Sequence, residues 1–186
     1  MSKTKTIIFL FCLFVIGVAG RFLPHMWNTT PITALALFVS VYFGVRYSMP
    51  FVFLTMLVSD IFIGFYSWPI MLSVYGSFLL ACLLGEYVRQ HKNIGSLVFM
   101  TLSSSVLFFL ITNWAVWQFG TMYAHSWQGF MDSYMMAIPF FKNSLTGDLF
   151  YTAFFFGAYE TYRSVVFKKI VYNFSRGCAK VAGAVR

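Results

Sequence analysis

Six apolar runs, at 7–20, 32–45, 50–66, 69–88, 94–118 and 145–162, fill most of this chain and leave little else to fold. A chain in which 60% of residues are hydrophobic and 10% charged cannot hide its apolar side chains in a soluble core of 186 residues. It therefore reads as an all-α, polytopic membrane protein with one transmembrane domain over 1–186 and a bundle of about six helices. The first two runs span only ~21 Å as helix, short of a ~30 Å hydrocarbon core, so they need flanking residues or shelter from neighbouring helices. Pro31, Pro50 and Pro69 stand at or beside expected helix starts, and "RQHKN" at 89–93 breaks the fourth run from the fifth.

Charge sets the expected topology. With six spans and both termini cytoplasmic, eleven of the thirteen Lys and Arg residues fall inside and only Arg21 and Lys142 outside. On that alternation the protein is a multi-pass membrane component with both termini cytoplasmic, with the lipid bilayer as its first partner and no nucleic-acid role for its net charge of +8. Lys3 and Lys5 ahead of "IIFLFCLFVIGVAG" also fit a secretory signal with Val18 and Gly20 near a cleavage point; a retained helix is the preferred reading. The tail 163–186 carries six basic residues and no acid, and Val166, Ile170, Phe174 and Cys178 recur every four residues. Such a strip rests on the cytoplasmic leaflet or docks a cytoplasmic partner.

Polar residues gather toward the outer side. Arg21, His25, Asn28, Asn113, Tyr123 and Asp148 lie in outer loops or the outer ends of spans, and Asp60 interrupts "FLTMLVSDIFIGFYSW" ~12 Å below the outer end of its run; with Trp117 and Tyr151 these are the candidate solute-binding residues. A carboxylate there costs roughly 2.5 to 3.5 kcal/mol on insertion scales, so Asp60 is expected to face the bundle interior and pair with Arg21. Met56, Asp60, Gly64 and Ser67 share a helical face, Gly64 leaving room for another backbone. Ser105, Thr112, Asn113, Trp117 and Gly120 form a second stripe, and Asp148, Tyr151, Thr152, Phe155 and Tyr159 a third. Hydrogen bonding between helices accounts for such stripes equally well. The aromatic, Met-rich connection 119–148 is expected to close over the bundle mouth as a lid or as short re-entrant helices, with Pro139 separating it from the last span.

No HExxH, GxSxG, Walker loop or paired-aspartate protease motif is present, so neither an enzyme nor a cofactor is expected. Cys12, Cys82 and Cys178 are isolated packing residues, and His25 and His125 show no metal-ligand spacing.

The stretches "RFLPHMWNTTPITALALF", "SDIFIG", "LFFLITNWAVW" and "AIPFFKNSLTGDLFY" on six short spans resemble a group of bacterial membrane proteins of unassigned function, related to the substrate-capture (S) components of energy-coupling-factor (ECF) transporters. The resemblance covers about residues 7–160. It implies a vitamin-sized solute bound near the outer face and passed inward through a transmembrane coupling subunit with cytoplasmic ATPases. The alanine-x-x-x-alanine docking stripe of S components is matched only by Ala34 and Ala36, so docking would use another surface, such as Thr30 with Ala34, or the partner is absent. The alternatives from other classes are a structural or assembly membrane protein and, less favoured, an intramembrane lipid-modifying enzyme built on Asp60 and His25.

Overall fold

The computed structural model describes residues 3–22, 29–91 and 93–183, with side chains described through Val165. His25 and Asn28 lie outside these residues; the apolar strip of the tail lies beyond the described side chains. Among the described residues the fold is entirely helical: α1 (Lys3–Phe22), α2 (Ile32–Phe43), α3 (Val45–Ile63), α4 (Trp68–His91), α5 (Ile94–Phe119), α6 (Trp127–Met135) and α7 (Ile138–Gly183). Four of them, α1, α3, α4 and α5, are long and apolar enough to cross a membrane. Large apolar side chains such as Ile8, Phe11, Phe62 and Phe99 point outward, as a lipid-facing surface requires.

Two compact units divide the chain, residues 1–152 and 153–186. The second is the continuation of α7, with Phe155 and Phe156 buried and Glu160 and Arg163 paired at 3.7 Å one turn apart.

In the first unit α2 is the central helix. Every residue from Pro31 to Ser40 is buried, so its twelve residues need not match the bilayer: protein shields both ends. Gly44, at φ +94°, turns α2 directly into α3, and the two fold back on each other so that Ser48 Oγ donates to the Ala36 carbonyl at 2.7 Å. At this end Glu86 accepts the Val45 N–H at 3.1 Å and pairs with Arg89 at 3.1 Å. Gly85 of α4 lies against α2, where Ser40 Oγ donates to the Cys82 carbonyl at 2.6 Å. α1 joins the core rather than standing apart: a Cβ at Gly17 would meet Thr55 and Leu35, and one at Gly20 would strike Pro31. Ala34 and Ala36 are fully buried, which removes the Thr30 and Ala34 docking surface.

Several expected boundaries move. Pro50 lies inside α3, not at its start, and α3 ends at Ile63. Asp60 is therefore in the last turn, not ~12 Å below the end, and its carbonyl accepts the capping N–H of Gly64. Gly64 itself serves the left-handed cap at φ +109° and has open space around it, so it admits no neighbouring backbone.

The largest correction concerns the connection 119–148. Ser126 caps α6, accepting the Gly129 N–H. Phe130 then packs on Trp117, while Tyr134 reaches Phe109 and donates to the Leu110 carbonyl at 2.8 Å. From Trp117 to Phe109 is ~12 Å along α5, so α6 descends along that helix instead of lying across the mouth. Pro139 sits in the first turn of α7 and cannot donate to the Met135 carbonyl, so it separates α6 from α7, as expected of the segment before the last helix. α6 and α7 are separated by a break at 136–137 beside α5.

Candidate functional site

Asp60 and Arg21 meet. Arg21, the last basic residue of α1, places Nη1 2.6 Å from Asp60 Oδ1. The same nitrogen donates to Ser59 Oγ at 2.5 Å and to the Met56 carbonyl at 3.3 Å. Those bonds take its hydrogens, so Oδ1 has a charge contact without an aligned hydrogen bond. Oδ2 accepts from Tyr75 Oη at 2.8 Å, and Phe22 packs edge-on to Phe62 across the same helix ends. Arg21 complements the negative end of α1, whereas Asp60 opposes that of α3 and relies on the guanidinium.

Asp148 occupies a different position from the expected one. It is buried (3% exposed) and accepts from Ser105 Oγ at 2.7 Å and from Thr33. Ser105 lies about 14 residues, or ~21 Å, from the outer end of α5, close to that helix's midpoint. The carboxylate is thus level with the middle of α5 rather than with an end of that helix. Gly147 makes the placement possible: a Cβ there would lie 2.5 Å from Thr29 Cγ2, so the segment before α2 passes directly over α7. Among the described residues Asp148 has hydroxyl partners but no ion pair.

Two adjoining cavities open beside it. The inner, about 170 Å³, is lined by Arg21, Thr30, Thr33, Ser144 and Asp148 together with apolar side chains. The outer, about 380 Å³, is aromatic, with Phe108, Phe109, Phe140 and Phe141 around Asn113 and Thr112. Val74, Phe108 and Ser144 belong to both walls, and Ala137 at the helix break lines the outer one.

The remaining expected residues divide. Asn113 lines the outer cavity, although its amide nitrogen bonds back to the Phe109 carbonyl at 2.7 Å, as Thr112 does to Phe108. Trp117 lines neither cavity; its Nε1 donates to the Ala124 carbonyl at 3.1 Å and ties the 120–126 loop to α5. Tyr123 is in that loop, and half-buried Tyr151 lies one turn past Asp148 without reaching either cavity wall. Thr33, Ser59, Tyr75 and Ser144 were not anticipated; Ser59 was adjacent in sequence to Asp60, but the others carried no local signal. No group of three or more metal-ligating His, Cys, Asp or Glu residues occurs among the described residues.

Trp117→Phe tests the loop anchor. Losing one hydrogen bond of about 1 kcal/mol while keeping the ring should speed amide exchange over 120–126 and leave the global melting temperature nearly unchanged.

No curated protein and no solved structure matches the chain. The one assignment comes from a family model that matches residues 1–170: the chain belongs to DUF6580, a family of unknown function.

Proposed function

We propose that this protein is a solute-binding component of a membrane transport system, taking up a small, vitamin-sized molecule from the outer side in the manner of an ECF S component. The observation that carries the reading is Asp148, a carboxylate buried level with the middle of α5 with hydroxyl partners alone, set on the wall of a cavity. Ionisable groups inside a membrane are costly and mark solute or ion pathways by default. The discontinuous α6 and α7 beside it adds support, since broken helices commonly frame transporter sites near the midplane. Six passages, with α6 and α7 together as the sixth, give both termini on the cytoplasmic side of a bacterial inner membrane. A coupling subunit with cytoplasmic ATPases would then supply the energy; the chain itself is read as neither an enzyme nor a cofactor carrier.

Thermal-shift screening of the detergent-solubilised protein against vitamins, nucleobases and metal ions tests this. A true ligand at a hundred times its Kd stabilises by about 2.7 kcal/mol, and the shift should vanish in Asp148→Asn. Absence of any stabilisation, with stable co-purification of a membrane complex, would favour an assembly protein whose polar stripes are helix contacts.

A further inference from the structure

We infer that the two adjoining cavities form one bipartite site for an amphipathic amine, its ammonium group against Asp148 and its apolar body among the outer phenylalanines; this rests on the solute-binding reading above. The charge balance on the inner wall points to a cation. Among the described residues two charged side chains reach that cavity, Arg21 and Asp148. The Arg21 charge is already met by Asp60 at 2.6 Å, so its remaining N–H donors offer an anionic ligand no uncompensated charge. Asp148 is the reverse case. Ser105 and Thr33 donate hydrogen bonds but bring no charge, leaving one carboxylate without a counter-ion among the described residues. A buried carboxylate so placed gains most from a cation with hydrogen-bond donors of its own.

The outer cavity supplies the second half of the recognition. Its volume of about 380 Å³ is in the range of small-molecule pockets, and its polar groups are few: Asn113, Thr112 and Ser144 beside four phenylalanine rings. Phe108 borders both cavities, so an aromatic ring lies where head group and body join. Neither half alone defines this ligand. A bare inorganic cation would leave the aromatic half empty, and an apolar solute would leave Asp148 uncompensated.

The test uses the full chain in nanodiscs of zwitterionic lipid, which removes electrostatic partitioning of amines into the bilayer. Binding of tryptamine, phenethylamine and hexylamine is measured against the matched alcohols and carboxylates. At least one amine should bind at least tenfold tighter than its alcohol and its carboxylate. Asp148→Asn should remove that preference, and Phe141→Ala should weaken amine and alcohol alike. If Asp148→Asn does not fold, the comparison within the unaltered protein still decides. Equal or tighter binding of alcohols or carboxylates throughout the series, or an amine preference that survives Asp148→Asn, overturns the inference. Should a solute from the wider screen bind without any amine preference, the inference falls and solute binding stands; should nothing bind in either experiment, both fall.

Discussion

Arg21→Gln and Asp60→Asn should each destabilise the protein by roughly 3 to 5 kcal/mol, while the double replacement should cost much less than the sum. Each single change strands a charge at the joined ends of α1 and α3, where Asp60 is fully buried and the Arg21 side chain 15% exposed. The two losses are not equivalent. Asp60→Asn keeps an acceptor for Tyr75 but turns a neutral amide toward the guanidinium. Arg21→Gln also removes the donor to Ser59 and Met56 and leaves the carboxylate at the negative end of α3 with only the tyrosine. The arginine change should therefore be the more damaging, and Arg21→Lys should recover part of the loss by restoring charge without the forked donors. Equilibrium unfolding of the four variants in detergent gives the coupling energy directly. Strictly additive losses would mean that the ion pair contributes nothing beyond its separate groups.

That pair could be read from sequence because two rules converged on it. An Asp inside an apolar run needs a partner, and the charge alternation left few basic residues on its side. Its depth could not be read, because "GFYSW" continues the apolar composition past the point where Gly64 ends the helix. Apolar character marks what faces lipid, not where the hydrogen-bonded ladder stops. The same ambiguity hid the course of α6, where the aromatic stretch around Trp127 and Phe130 carries no hydropathy break that separates a lid from a helix running along α5.

The partners of Asp148 were hidden for a different reason. A helix that buries one face announces it through periodicity, but α2 buries every side from Pro31 to Ser40, so nothing distinguishes Thr33 from its neighbours as the residue that meets Asp148. Central helices in membrane bundles lose their sequence signature because lipid and protein are both apolar surroundings. What remains legible is the cost of a charge, which is why Asp60 and Asp148 stood out while the hydroxyls that serve them did not.

The same central helix yields the second large effect. Gly85→Ala should destabilise the protein by about 1 to 3 kcal/mol, whereas Gly76→Ala, on the same helix α4, should be neutral or stabilising by up to about 1 kcal/mol. Both changes gain the helix propensity of alanine, so the difference between them isolates packing. At Gly76 a Cβ meets nothing within 4 Å. At Gly85 it would lie 2.7 Å from Ser40 Cβ and 3.0 Å from the Leu37 carbonyl oxygen, both on α2. That backbone cannot retreat, because α2 is enclosed on every side and held to α4 by the Ser40 bond to the Cys82 carbonyl at 2.6 Å. Relief must come from separating α2 and α4, which stretches that bond and the contact of Ser48 Oγ with Cys82 Sγ at 3.1 Å. Steric strain therefore outweighs propensity at Gly85 and is absent at Gly76. Thermal unfolding of the two single variants side by side should show shifts of opposite sign, and equal shifts would mean that α2 is not the rigid centre of this bundle.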